Sequence, residues 1–148
     1  MEVILVTENK EQFMELLLLG DEQEDMIQRY LPRCDLYSLY ADGSPMAVCA
    51  VTREADTVFE VKNLATREEE RGKGYGSYLL DYVGKCYQGE GSRLQLGTGD
   101  VPGILDFYRR CGFQYAYTVP NFFTDNYDHP MYEDGHQLVD MVYLERPL

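Results

Sequence analysis

The chain has 148 residues, 45% of them hydrophobic and 26% charged, with 13 Lys and Arg against 26 Asp and Glu for a formal charge of −13. That length fits one domain able to bury roughly 70% of its unfolded surface, and no apolar run approaches the ~20 residues of a membrane span. The acidic excess repels phosphate backbones and so argues against nucleic acid; it suits steering of a cationic acceptor and equally well serves solubility alone.

Met1-Glu2-Val3-Ile4-Leu5-Val6 has no basic n-region and no cleavage site, and reads as a first strand rather than a signal peptide. Asn9 or Thr7 can cap a helix carrying Phe13, Leu16 and Leu17, stopped by Gly20. Asp21-x-x-Glu24 has the form of a capping box and opens a second short helix with Met26, Ile27, Tyr30 and Leu31, ending at Pro32. Leu36–Tyr40 and Met46–Thr52 are strand patterns, and the Asp42-Gly43 between them signals a hairpin. Cys34, Cys49, Cys86 and Cys111 are scattered without Cys-x-x-Cys or zinc-like spacing. They read as reduced, mostly buried thiols of a cytoplasmic protein.

A fourth strand, Val58 to Leu64, runs through the acidic corner Arg67–Glu70 into Arg71-Gly72-Lys73-Gly74-Tyr75-Gly76. A helix follows, with Tyr75, Leu79, Leu80, Val83 and Cys86 or Tyr87 on one face. Glycines at alternate positions let the backbone bend sharply or approach a ligand closely. The first amides of a helix lack internal partners and sit at the positive end of its dipole. Beside Arg71 and Lys73 they suit a phosphate or pyrophosphate. A P-loop needs Gly-Lys-Ser/Thr, which is absent, and Ser77 stands where a dinucleotide fingerprint needs its third glycine. The bland alternative is a helix start that is merely glycine-rich.

Arg93–Gly97 reads as a fifth strand, so the middle of the chain is a βαβ unit with parallel strands. Pro102 suits the first turn of the next helix and Gly112 its stop, with Ile104, Leu105, Tyr108 and Cys111 as the apolar stripe. Phe113–Val119 and Leu138–Leu144 are the last two strands. Between them lies a loop of some 18 residues, Pro120–Gln137, rich in aromatic and acidic side chains. Loops that long in a small domain are usually functional. His129 and His136 sit in it at a spacing that matches no metal motif, and read as solvated side chains.

Three features together resemble the GNAT N-acetyltransferase superfamily across essentially the whole chain. They are Arg71-x-x-Gly74-x-Gly76, the order β-α-α-β-β-β-α-β-α-β-β, and Leu105-Asp106-Phe107-Tyr108 followed at four residues by Gly112-Phe113. The resemblance implies one α/β (α+β) domain over residues 1–148, with a central mixed, mostly antiparallel seven-stranded sheet and about four flanking helices. It implies acetyl-CoA as cosubstrate. The backbone of Leu64, Ala65 and Thr66 would pair with the pantetheine beside a bulge expected at Asn63-Leu64. The amides of Arg71, Gly72, Lys73, Gly74, Tyr75, Gly76 and Ser77 would hold the pyrophosphate. Tyr108 would protonate the leaving thiolate, unless it is only a packed core tyrosine.

Glu60, eleven residues before Arg71, would be the general base. Its apolar neighbours Val58, Phe59 and Val61 argue for a raised pKa. The alternatives are a structural carboxylate, with ordered water taking the proton. The Leu64 amide would polarise the thioester carbonyl. Asp100, Asp125 and Asp128 could line an acceptor pocket, and Asp100 could equally cap the following helix. The implied function is acetyl transfer to a primary amine of a small molecule or peptide, with a non-catalytic acetyl-CoA-binding sensor as the other class. Pro120–Gln137 would then be a lid over the site or the contact of a homodimer.

Overall fold

In the computed structural model, which describes residues 1–148, an antiparallel meander comes first. Strand β1 (Glu2–Val6) pairs with β2 (Asp35–Ala41), β2 with β3 (Ser44–Ala55) and β3 with β4 (Val58–Thr66). Asp42 and Gly43 join β2 to β3 with φ of 52° and 76°, a turn whose twist matches that of paired strands. After β4 the chain crosses through α3 (Tyr75–Cys86) and returns as β5 (Arg93–Gly99), parallel to β4. Strands β6 (Gln114–Val119) and β9 (Met141–Pro147) complete a seven-stranded sheet in the order β1-β2-β3-β4-β5-β9-β6. Only β4 and β5 run parallel.

Period-two alternation on the strands divides the apolar side chains between two faces. On one face Leu79, Leu80 and Val83 of α3, with Leu105 of α4 (Pro102–Arg110), pack on Cys49, Val51, Phe59, Val61, Leu94 and Leu96. On the other, Leu16 and Leu17 of α1 (Met14–Gly20) and Ile27 of α2 (Glu24–Gln28) pack on Leu36, Val48, Ala50 and Ala65.

Several local expectations are corrected. The first helix begins with a 3-10 turn, Lys10–Phe13, and Asn9 before it adopts φ 50° without a side-chain cap. Gln23, not Asp21, precedes α2, and Asp21 instead accepts a bond from Tyr127. Pro32 lies inside a 3-10 turn, Leu31–Arg33, rather than after a helix. The segment Pro120–Gln137 is not plain loop. It contains a fifth helix, α5 (Phe122–Asn126), and a hairpin of β7 (Tyr132–Glu133) and β8 (His136–Gln137). A small core of Val101, Phe123, Met131 and Leu138 holds it together. Leu138 is drawn into that core, and its N–H bonds the Met131 carbonyl at 2.8 Å. The last strand therefore starts at Met141 rather than Leu138.

One glycine ties a helix to the sheet. Asn63 is buried, and its amide donates to the Leu17 carbonyl at 2.8 Å and the Tyr30 hydroxyl at 3.0 Å. Gly20 leaves room for the Asn63 side-chain oxygen, which an added Cβ would strike. Gly20→Ala is expected to cost about 1–3 kcal/mol by overpacking, read as a lower urea midpoint with an unchanged slope.

Candidate functional site

Strand β4 carries one residue more than its partner. Ala50 faces Asn63 and Val51 faces Val61, so Lys62 is the bulge. It falls one residue before the position expected from the sequence. The extra residue changes which way the chain faces. Val61 and Leu64 belong to the α3 side. Asn63 bonds α1 on the opposite side, and Lys62 reaches Glu60 there.

The pairing of β4 with β5 ends at the same point, running only from Val58↔Arg93 to Val61↔Leu96. Beyond it β4 stays with β3 as far as Thr66, and β5 stays with β9 as far as Gly99. A slot opens between them, edged by backbone groups that the partner strand no longer satisfies. Leu64, Ala65 and Thr66 lie along it; Ala65 turns its side chain into the α1 side.

The glycine turn stands at the end of this slot. Gly72 and Gly74 have φ of 80° and 89°, the region where any other L-residue is strained. Gly76 lies outside that region and marks where three elements meet. A Cβ there would lie 3.5 Å from Thr66 Oγ1 and 3.7 Å from the Phe107 ring, so the start of α3, the end of β4 and α4 converge on it. The Tyr78 N–H makes the first bond of α3, to the Gly74 carbonyl at 3.0 Å. The amides of Tyr75, Gly76 and Ser77 therefore have no intrahelical partner. The Ser77 hydroxyl donates back to the Gly74 carbonyl at 3.2 Å. Of the two cations, Lys73 is paired with Glu70, which raises its pKa. Arg71 is exposed.

Tyr108 lies on α4 and packs against the α3-side core. Its ring meets Phe107 and Phe113 edge-on at 5.1 and 5.9 Å. Burial raises its pKa, with the Cys49 and Cys111 thiols as further influences. A tyrosine is protonated at neutral pH at its ordinary value of 10, and the shift leaves Tyr108 more firmly so.

Glu60 is 4% exposed, yet its surroundings are polar. Phe59 and Val61 point to the opposite core, so they do not form the apolar flank expected from the sequence. The Gln95 amide donates to Oε1 at 2.7 Å. The Lys62 ammonium lies 2.7 Å from Oε2, and the Tyr143 hydroxyl donates to the same oxygen at 3.2 Å. Burial, then the Glu60 charge, raises the Tyr143 pKa. The Tyr143 ring stacks on Tyr117 at 4.7 Å. Glu54 extends the group. Its Oε2 accepts from Thr52 at 2.6 Å and Arg33 at 2.9 Å, and its Oε1 lies 3.6 Å from Lys62. Burial alone would raise the Glu54 carboxyl, but Thr52, Arg33 and Lys62 together hold it below its ordinary value. Sequence reading missed Lys62, Gln95, Tyr143 and Glu54. The spacing of Glu60 and Lys62 on a strand was the one local signal; Gln95 and Tyr143 reach Glu60 from other strands.

The segment after β6 docks on the α1–α2 link. The Tyr127 hydroxyl donates to Asp21 Oδ1 at 2.7 Å, and the Asp128 N–H to Gln23 Oε1 at 3.1 Å. His129 sits between Asp128 at 2.6 Å and Glu22 at 3.2 Å. Farther along, burial raises the Glu133 carboxyl, the Asp134 charge adds to this, and Arg71 opposes it. The hairpin also approaches the start of α4, where the Asp134 carboxylate would lie 3.8 Å from a Cβ built on Gly103. Asp100 makes no cap to α4, whose first residue follows Val101. Asp100 and Asp125 are exposed.

Both carboxylates raise the His129 pKa above its ordinary value of 6.5. The ion pair's contribution to docking is fully present below 6.5 and is lost as pH rises through the raised value. An NMR titration of the His129 ring should give a midpoint above 6.5, returning toward it when Glu22→Gln and Asp128→Asn are combined.

Comparison with known proteins fits this geometry. Residues 32–115 match the family model of the acetyltransferase (GNAT) domain. The chain is 31% identical over 139 residues to the uncharacterised N-acetyltransferase YvbK of Bacillus subtilis, covering 93% of this chain and 90% of the relative. A GNAT family acetyltransferase from Elizabethkingia anophelis, solved with acetyl-CoA bound, superposes with a TM-score of 0.95 at 29% identity, over 99% of this chain and 97% of that one. A Bacillus subtilis acetyltransferase in complex with CoA superposes with a TM-score of 0.90 at 30% identity, over 99% and 98%.

Proposed function

The chain belongs to the GNAT acetyltransferases, and from that premise we propose which of its residues serve the transfer and what it acts on. It is an acyl-CoA-dependent N-acetyltransferase that uses acetyl-CoA as cosubstrate. The observation that carries the site assignment is the opening between β4 and β5 after Val61 and Leu96, with the unpaired amides of Tyr75–Ser77 at its end. The pantetheine amides add to the free edge at Leu64–Thr66 as an extra strand would. The pyrophosphate takes the amides of Gly72–Ser77, with charge from the Arg71 side chain; the Arg71 N–H, expected from the sequence to join them, already bonds the Glu68 carbonyl at 3.3 Å, and Lys73 contributes less because Glu70 already pairs with it.

The acceptor is a primary amine of a small molecule or peptide. A lysine-like amine has a pKa of about 10.4 and must lose a proton before it attacks. Its nitrogen then bonds the thioester carbonyl carbon, and the Leu64 amide steadies the developing oxyanion. The carbon–sulfur bond breaks, Tyr108 donates its proton to the sulfur, and Glu60 takes the amine proton. Tyr108 carries its proton at neutral pH at its ordinary value of 10, and burial raises that value further. Glu60 stands opposite Gln95, on the last rung but one before the opening. Together the two groups favour turnover over mere cofactor sensing.

Gly74→Asp tests the cradle. Its φ of 89° costs a non-glycine residue about 1–2 kcal/mol, and an added Cβ meets nothing within 4 Å, so the variant should fold. A carboxylate facing the pyrophosphate should abolish acetyl-CoA binding in titration calorimetry. Unaltered affinity would refute the assignment. Tyr108→Phe keeps the packing and removes the hydroxyl. It should lower kcat by about 10²-fold in a thiol-release assay with an amine panel, while acetyl-CoA affinity holds.

A further inference from the structure

We propose that Lys62 is a positioning residue whose ammonium holds the acceptor's place on Glu60, and that the acceptor is an alkylammonium able to displace it. The proposal rests on the reading of Glu60 as the group that receives the acceptor's proton.

The bulge makes this arrangement. As the extra residue of β4, Lys62 lies beside Glu60 at the point where β4 and β5 part. Its ammonium is 2.7 Å from Glu60 Oε2, where an incoming amine must come to deliver a proton. Glu60 Oε2 already accepts from both Lys62 and Tyr143, and Oε1 accepts from Gln95. An acceptor that replaces Lys62 inherits its direction of approach. Gln95 and Tyr143 meanwhile keep the carboxylate still.

A second resting place for Lys62 is already built. Glu54 Oε1 lies 3.6 Å from the ammonium. Thr52 and Arg33 both bond Glu54 Oε2 and leave Oε1 to Lys62. The side chain of Lys62 is 21% exposed and that of Glu60 5%, so the cation can shift at the surface while the carboxylate stays fixed.

Charge selects the class of acceptor. Glu60 and Glu54 are balanced by Lys62 and Arg33, and beyond them Arg93 and Glu145 pair with each other at 3.3 Å. A further cation is therefore accepted only by taking over a place a cation now fills. A neutral hydroxyl or aromatic amine does not compete for a carboxylate against an ammonium. A purely structural ion pair would predict the opposite response to loss of Lys62, because Glu60 would be left buried and misplaced.

The probe is n-butylammonium chloride, with tetramethylammonium chloride as the control that cannot donate a hydrogen bond. The readout is the side-chain amide signal of Gln95, which reports directly on Glu60. Wild-type protein should bind n-butylammonium weakly and saturably and ignore tetramethylammonium. Lys62→Met should tighten n-butylammonium binding by about two- to fivefold, the scale of one partly exposed ion pair. Glu54→Gln removes the resting place and should weaken it. Equal or weaker binding to Lys62→Met, or an unmoved Gln95 signal, overturns the proposal. If Lys62→Met fails to fold, the Glu54→Gln arm decides, and binding equal to wild type overturns it. Thermal shift with acetyl-CoA is measured on each protein. A lost shift in wild type would bring down the cofactor reading; an intact shift without tightening brings down only the role of Lys62.

Discussion

The single extra residue in β4 is the constraint from which the site follows. A sheet satisfies its backbone groups by keeping neighbours in register. Lys62 takes β4 out of register with β3 at the level where its pairing to β5 ends. Each strand then keeps only its outer partner. The core helps to hold them apart, because Val61 and Leu64 remain on the α3 side while Asn63 is bonded to α1. Closing the slot would strip those contacts. Edge groups that would elsewhere be a liability are thereby left open inside the sheet, where the proposed pantetheine pairing would use them.

The other parts of the site are arranged around that opening by packing. The start of α3, the end of β4 and Phe107 of α4 meet at Gly76, so the unpaired amides of the glycine turn come to one end of the slot. On the opposite face a buried carboxylate would be costly if left alone. Gln95, Lys62 and Tyr143 satisfy Glu60, and each comes from a different strand. The same contacts that make its burial affordable also aim it. The segment from α5 to β8 bridges to the α1–α2 link through Tyr127, Asp128 and His129. These contacts join the late segment to the turn between the first two α-helices.

Much of this was legible from residue order. The hairpin at Asp42-Gly43, the βαβ unit and the glycine turn depend on backbone geometry within a few residues, and they stand where periodicity put them. Gly72 and Gly74 take positive φ because the turn demands it. Asp21 shows the limit of local reading. Its spacing to Glu24 satisfies a capping pattern, but Tyr127, more than a hundred residues away, holds it instead. Leu138 looked like the start of a strand and was drawn into a satellite core by Val101, Phe123 and Met131.

By itself, then, the sequence determined the order of the elements, the apolar stripes of the helices and the glycine turn, since each rests on short-range sterics or on simple periodicity. Only the tertiary structure decided that Lys62 rather than Asn63 or Leu64 is the bulge, that Glu60 lies among polar partners instead of its apolar neighbours, and that the late loop is a folded strap. Those outcomes depend on strand register and on contacts between distant segments. A one-residue change of register turns a side chain to the other face, and no local pattern records it.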